Sequence, residues 1–127
     1  MGEIQKPYNY GGAFIMAEPN IENLKQWKQE YKKLFKTTLT DGTIIIWRRI
    51  RRSEYRQLMT QYQSVTDRDE RIWEREEAVC KTCILFPPRE ETEDILENQA
   101  GLATLISDDI FANSGFSIKE TAEEVTV

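Results

Sequence analysis

Two groups of residues in this chain have side chains and spacing that could support chemistry, and the first is a pair of cysteines. Cys80 and Cys83 form a C-x-x-C pair, the spacing of many zinc ligands and redox-active dithiols. A structural zinc site needs about four ligands, but the sequence has two cysteines and no histidine. A thioredoxin-type pair lies at the start of a helix, whereas this pair lies near the end of a predicted helix. We therefore expect both cysteines to be core residues.

The second group is a set of arginines on both sides of Ile50, namely Arg48, Arg49, Arg51 and Arg52. They could form an anion or nucleic-acid patch, or they could lie at the end of a strand and pair with the acidic third helix. The chain has 22 acidic against 17 basic residues and a formal charge of −5. It also lacks an aromatic stacking platform with glycine-rich spacing. These features favour ion pairs within the chain, and they disfavour nucleic acid as the partner.

The composition argues against an enzyme. Without histidine, the chain lacks the most common general base and the most common metal ligand. The sequence shows no nucleophile–base pair, no phosphate-cradling glycine loop and no cluster of metal ligands, so we expect no catalysis, cofactor or metal. No apolar run approaches the ~18 residues of a membrane-spanning helix, and a reducing cytoplasm is the default location.

The spacing of apolar residues predicts several helices. Steps of three and four residues place apolar stripes on each of them, and Asn20, Ser53 and Thr66 are the expected N-terminal caps. The predicted helices cover residues 21–33, 53–64, 67–85 and 102–111, with a connector over residues 89–94 and a short helical piece from Ile95. Residues 113–115 should end the last helix, and Phe116 should fold back against it.

A β-hairpin is predicted between the first two helices. Residues 35–40 and 43–47 are rich in β-branched and aromatic side chains, and Asp41-Gly42 between them fits a two-residue type I′ turn. The second strand is apolar at every position from Ile44 to Trp47, which is more than one buried face requires. One face should meet the helices, and the other should meet a partner or a sheet from another chain.

These elements predict a single α+β domain, mainly helical, over residues 20–116. It would consist of an N-terminal helix, one hairpin and a cluster of three to four helices. Residues 1–19 form a predicted flexible arm that carries an apolar island at residues 13–17, and residues 117–127 form an acidic mobile tail. The island should fold back on its own domain or dock on a partner or a neighbouring copy.

Four segments of the chain carry a resemblance to a known kind of protein. They are I-x-x-L-K-x-W-K-x-x-Y-x-x-L over residues 21–34, Arg52-Ser53-Glu54-Tyr55, E-x-x-V-C-x-x-C-I-L-F-P over residues 76–87, and the A-G-L…S-G-F stretch over residues 100–116. In this order they resemble small tail assembly chaperones of contractile-tailed bacteriophages. They are also similar to the small baseplate-hub proteins of such phages. The shared motifs concern packing and capping, not chemistry.

The resemblance implies a non-catalytic protein that coats the tape-measure protein in the host cytoplasm until the tail tube polymerises around it. The hub alternative implies a permanent, multi-copy component of the virion tail that contacts baseplate or tube proteins. A small regulatory nucleic-acid-binding protein is a third hypothesis, based on the arginines. The predicted partner-binding residues are Phe14, Ile15, Trp27, Ile45, Trp47, Arg48 and Arg51.

Overall fold

A small antiparallel sheet and a set of helices make up the chain in a computed structural model, which describes residues 18–116 and 122–126. The elements are α1 (Ile21–Tyr31), β1 (Leu34–Thr38), β2 (Ile44–Arg48), α2 (Arg52–Gln61), α3 (Arg68–Cys83), β3 (Ile84–Phe86), α4 (Arg89–Asn98) and α5 (Leu102–Ala112). The predicted class, α+β and mainly helical, is confirmed. The predictions for the arm up to residue 17 and for residues 117–121 lie outside the described residues.

The first helix begins where the sequence predicted and ends two residues earlier. The Asn20 side chain caps it by accepting a 2.7 Å hydrogen bond from the Glu22 backbone N–H. At the other end, Lys32 adopts φ 68° and ψ −39°, and the Lys33 N–H donates to the Tyr31 carbonyl at 2.7 Å. This is the positive-φ form of the γ-turn, a strained conformation for a residue with a side chain, and it stops the helix.

The hairpin is present, but its turn differs from the prediction. Gly42 N–H donates to the Leu39 carbonyl at 2.9 Å, and Leu39 N–H donates to the Thr43 carbonyl at 2.8 Å. The loop therefore has three residues, and only its last, Gly42, has a positive φ, of 92°. The type I′ prediction was wrong because Asp41 uses its carboxylate to accept from the Thr43 N–H at 2.9 Å, which is the local bonding that aspartate favours in turns.

Replacing Gly42 by alanine should lower the free energy of unfolding by about 1 kcal/mol, because a Cβ is unfavourable at this φ. Gly101→Ala is the matched control. Gly101 has φ −90°, and an added Cβ there would meet nothing within 4 Å, so its change should stay within about 0.5 kcal/mol. Urea unfolding of the two variants measures both effects. Equal losses for the two would contradict the assignment of the turn.

A third strand, which the sequence pattern did not reveal, pairs with the free edge of the hairpin. β3 follows α3 without a break and pairs antiparallel with β2, so β2 is the central strand of the order β1-β2-β3. In this strand Ile45, Ile46 and Trp47 are 1%, 6% and 3% exposed, and Ile45 and Trp47 pack in the core against residues of the helices. The expectation that Ile45 and Trp47 lie on a free face was therefore wrong, because both side chains belong to the chain's own core.

The core lies between the inner face of the sheet and the helices that follow it. Its buried residues are Ile45, Trp47, Ile50, Leu58, Val79, Cys80, Cys83, Ile95, Leu102, Ile106 and Ile110. The long helix α3 packs along α5 in the centre of this arrangement, and the two are also joined by a hydrogen bond from the Thr104 hydroxyl to Glu76 at 2.9 Å. None of the described helices has the length and apolarity that crossing a membrane requires.

The caps of the middle helices differ by one or two residues from the predicted ones. α2 is preceded by Arg51, whose backbone N–H donates to Glu54 Oε1 at 2.9 Å, so Ser53 lies inside the helix and does not cap it. α3 is capped by Asp67 and not by Thr66, because the Asp67 side chain accepts from the Glu70 N–H at 2.9 Å. Both ends still follow the rule that an acidic side chain satisfies the free N–H groups of a first turn.

Residues 89–94 form the first half of α4, where a connector was predicted. Glu90 and Glu91 lie in the first turn, where negative charge is favourable. Thr92 is 3% exposed and donates its hydroxyl hydrogen to the Pro87 carbonyl at 2.8 Å. The polar residues of this segment therefore lie on the outer face of a helix, and Thr92 and Ile95 are buried on its inner face.

Candidate functional site

The arginines at the end of β2 and just after it have different environments, and Arg48 is the buried one. It is 5% exposed, and its guanidinium donates to Glu54 Oε1 at 2.6 Å and Oε2 at 2.9 Å. The same group donates to the Thr82 carbonyl at 3.0 Å and lies 4.7 Å from the centre of the Tyr31 ring. Arg48 therefore ties β2 to α1, α2 and the end of α3. Its acidic partner is in α2, so the expected pairing with acids of the third helix was wrong.

The charges of this pair stabilise each other. Burial raises the pKa of Glu54, but the hydrogen bonds from Arg48 and from the Arg51 N–H lower it by more, so the carboxyl titrates below its ordinary value. Burial lowers the pKa of Arg48, and the hydrogen bond and charge of Glu54 raise it above its ordinary value. Both groups are charged at neutral pH, and Arg48 is not available to a ligand.

Two of the other arginines and one lysine line a second feature. We call it the basic pocket and define it by Lys32, Arg49 and Arg51. These three exposed residues line a cavity of about 440 Å³. The Arg51 guanidinium lies 4.9 Å from the centre of the Tyr31 ring, a distance at which a cation is attracted to an aromatic face. The wall of the pocket is completed by Glu30, Tyr31, Ile50, Ser114 and Gly115.

An apolar groove borders α2, α3 and α5, and we define it by Tyr55, Met59, Ile72, Phe111 and Phe116. Its volume is about 400 Å³. Ile72 remains 38% exposed and Phe116 remains 50% exposed, which places apolar surface in contact with water. The polar side chains that also line it are Arg75, Glu76, Ser107 and Asp108. A concave apolar surface between helices is the kind of site that receives an apolar helix face from a partner.

Aromatic contacts hold one end of the groove in place. Phe116 folds back over the end of α5, as expected, because Gly115 has φ 97° and the Phe116 N–H donates to the Phe111 carbonyl at 3.2 Å. The Phe116 ring lies 5.4 Å from the Phe111 ring and 5.0 Å from the Tyr55 ring. Tyr55 and Phe111 also meet edge to face at 6.0 Å. The three rings give the groove a preformed aromatic end.

The apolar groove and the basic pocket are neighbours on the surface. A third cavity of about 260 Å³ lies between them, and its lining includes Tyr55 and Phe116 from the groove and Arg51 from the basic pocket. Arg52, whose guanidinium lies 5.7 Å from the centre of the Tyr55 ring, borders the same stretch. The surface therefore changes from apolar to basic along a single path.

The predicted partner-binding residues that the structure describes do not form one exposed surface. Phe14 and Ile15 lie outside the described residues, Trp27 is half-buried on α1, and Arg48 is held by Glu54. Of the five that the structure describes, Arg51 alone lines the candidate site. The groove residues on α2 and α5 were recognised in the sequence as the apolar sides of helices. No sequence pattern indicated that the packing of three helices would leave these sides partly open.

The cysteines are core residues, as expected. Both are free thiols with 0% exposure, and Cys80 Sγ lies 3.5 Å from the Ala103 carbonyl as a donor. Burial raises the pKa of each thiol to about 12. Within the described residues, no group of three or more His, Cys, Asp or Glu side chains is placed to hold a metal ion.

The thiols should therefore be unreactive in the folded protein. At pH 8 the thiol–thiolate equilibrium lies far toward the protonated form for a pKa of about 12, and only the thiolate is nucleophilic. We expect a thiol reagent such as DTNB to label neither Cys80 nor Cys83 until the chain unfolds, and to label both in concentrated urea. Fast labelling of the native protein would show that the α3–α5 interface opens readily.

Comparison with known proteins adds information on the fold. No protein-family model matches the sequence, and no curated protein matches it. The solved structure of the uncharacterised protein rbstp2171 from Bacillus stearothermophilus is similar, with a TM-score of 0.53 and 16% sequence identity. The similarity covers 84% of this chain and 100% of that one. At this identity the likeness concerns the arrangement of the elements.

Proposed function

We propose that this chain is a non-catalytic phage tail assembly protein that shields an amphipathic helix of the tape-measure protein in its apolar groove. The observation that carries the proposal is the groove itself, a depression of about 400 Å³ between α2, α3 and α5 with exposed apolar side chains. The resemblance of four sequence segments to small tail assembly chaperones supplies the identity of the client.

The chemistry of the described surface supports binding over catalysis. The two thiols are buried and protonated, and Arg48 is engaged with Glu54. A tape-measure protein is a long helix that awaits burial, so its apolar face is exposed before the tube forms. A preformed groove lined by Met, Ile and aromatic side chains can cover one such face without ordering a new element.

Copurification tests the proposal and the role of the groove. Tagged chain coexpressed with the tape-measure protein of the same phage should retain it, and Ile72→Asp should abolish retention because it buries a charge in the interface. Leu105→Asp is the matched control, since Leu105 is 64% exposed and lies outside the groove. Retention by Ile72→Asp as strong as by the parent chain would overturn the groove as the binding surface.

The protein composition of the mature virion distinguishes a chaperone from a permanent component of the hub. A chaperone leaves the tape-measure protein when the tube polymerises, so mass spectrometry of purified virions should detect no abundant peptides from this chain. Abundant peptides would replace the chaperone proposal by that of a structural component of the tail or baseplate hub.

A further inference from the structure

We propose that the binding site extends beyond the apolar groove into the basic pocket, so that the partner segment is an apolar helix with an acidic end. This inference rests on the proposed function and specifies the chemistry of the partner. The apolar part of the segment would lie on Met59, Ile72 and Phe116, and its carboxylates would lie against Lys32, Arg49 and Arg51.

Continuity of the surface is the first support. The groove and the basic pocket are joined by a cavity that shares Tyr55 and Phe116 with the groove and Arg51 with the pocket. A segment that lies on Ile72 and continues past Tyr55 along these shared residues would therefore come close to the arginines. A ligand confined to the groove would leave this path unoccupied.

Charge complementarity is the second support. The basic pocket presents three exposed cations, and Glu30 is the one acidic residue in its lining. Arg52, also exposed, adds a further positive charge beside the pocket, between it and the groove. Arg51 is held over the Tyr31 ring, which reduces the side-chain freedom that it would lose on pairing with a carboxylate. The chain as a whole is acidic, with a net charge of −5, so the positive charge collected at this site is opposite in sign to that of the whole chain.

The backbone at Lys32 is the third support. Its φ of 68° is unfavourable for a residue with a side chain and would suit glycine. The strained position nevertheless carries a lysine that lines the basic pocket. A charge placed there by a strained turn adds to the two arginines from the segment after β2.

An acidic protein segment fits the site better than nucleic acid does. Nucleic-acid binding depends on a track of several phosphate contacts, whereas the cations here converge on one pocket and Arg48 is removed from the set by Glu54. The adjoining groove is apolar, and a phosphate backbone would leave it uncovered. A peptide with apolar and acidic parts satisfies both ends of the depression.

Two model peptides and the full-length chain test the inference. Each labelled peptide is a helix of about 20 residues with leucines at i, i+3, i+4 and i+7 spacing. One peptide ends in a run of glutamates and the other in a run of glutamines. Each is made in two versions, with the polar run at the N-terminus or at the C-terminus. By fluorescence polarisation at low salt, the better glutamate peptide should bind about tenfold more tightly than its glutamine match, which corresponds to two or three solvent-exposed ion pairs. The preference should shrink at high salt.

Charge variants locate the effect. Lys32→Gln with Arg49→Gln should remove the preference for glutamate, whereas the control pair Lys25→Gln with Lys36→Gln changes the same net charge at exposed positions outside the pocket and should keep it. Equal affinity of the two peptides for the parent chain would overturn this inference and leave the proposed function intact. Failure of both peptides to bind, or binding that Ile72→Asp does not weaken, would overturn the proposed function itself.

Other occupants of the site give distinct results that would also overturn the inference. Displacement of the glutamate peptide by a single-stranded oligonucleotide would favour nucleic acid. A dimer in sedimentation that Ile72→Asp converts to a monomer would place a second copy in the groove. A rise of about tenfold in peptide affinity on Phe14→Asp with Ile15→Asp, which corresponds to ~1.4 kcal/mol of competition, would place the chain's own N-terminal segment there.

Discussion

Trp47→Ala should lower the free energy of unfolding by about 3–5 kcal/mol, the usual cost of removing a large buried aromatic side chain. Trp47 is 3% exposed in the central strand. Its ring stacks on Phe35 with centroids 4.4 Å apart, and its indole N–H donates to the Thr37 hydroxyl at 2.9 Å. The truncation would remove the stacking, leave a cavity under the sheet and free the Thr37 hydroxyl. Because domains of this size are stable by only about 5–15 kcal/mol, a substantial unfolded fraction at 37 °C is expected.

Trp73→Ala is the control for this prediction. Trp73 lies on α3 and is 59% exposed, so its replacement should change stability by less than about 0.5 kcal/mol. Urea unfolding followed by far-UV circular dichroism compares the two without relying on tryptophan fluorescence. If Trp47→Ala unfolded at the same urea concentration as Trp73→Ala, the burial of the Trp47 side chain in the core would be wrong.

A variant can lose client binding either because it unfolds or because it lacks a surface contact. Loss of client binding in Trp47→Ala would follow from unfolding, since the side chain faces the core. Loss of binding in Ile72→Asp with an unchanged melting curve would identify a surface contact. Binding assays on this chain therefore need a stability measurement for each variant, and Leu105→Asp supplies the reference for an exposed apolar residue outside the groove.

Local signals allowed much of the fold to be predicted. The Asn20 cap, the hairpin position and the end of α5 each depend on residues within one or two turns of chain, and the structure has all three. The errors at the other caps are shifts of one or two residues toward whichever acidic side chain reaches the free N–H groups, as with Asp67. Local hydrogen bonding decides such details, and several neighbouring residues could compete for it.

Long-range pairing could not be predicted from the same patterns. β3 has three residues, and its sequence continues the apolar stripe of α3, so periodicity alone extended the helix through it. Its strand form depends on β2, which precedes it by almost forty residues in the sequence. The interpretation of Ile45 and Trp47 as surplus apolar residues failed for a similar reason, because both side chains pack against helix residues that are distant in the sequence.

The candidate site depends on the same kind of information. Its apolar residues belong to α2, α3 and α5 and to Phe116, and each helix alone shows an ordinary amphipathic pattern. Whether an apolar stripe is fully covered depends on how three helices pack. Arg48 is a further case, since the sequence offered many acidic partners and the structure selected Glu54, six residues later on the next helix.

Glu54→Gln should lower the free energy of unfolding by about 3 kcal/mol at pH 7, because it leaves the buried Arg48 without its counter-charge. The value is at the lower end for a buried pair since the Glu54 side chain is 24% exposed, against 6% for Arg48. Glutamine can still accept one hydrogen bond, but its NH₂ group would face a guanidinium that has only donors. The loss would separate the sheet from α2 and from the end of α3, both of which Arg48 joins.

The pH dependence of this loss identifies the charge of Glu54 as its cause. The folded protein lowers the pKa of Glu54 below its ordinary value of 4.5. The carboxylate therefore contributes stability that is fully present above about pH 4.5 and is lost as the pH falls through the folded pKa. Urea unfolding from pH 7 down to pH 3 should show the free energies of unfolding of the parent chain and Glu54→Gln converging, since Arg48 stays protonated throughout.

Glu97→Gln, an exposed change of equal charge on α4, is the control for this prediction. Its free energy of unfolding should remain close to that of the parent chain over the same range. A constant gap between Glu54→Gln and the parent chain would assign the effect to hydrogen-bond geometry and contradict the ion pair as the element that holds Arg48.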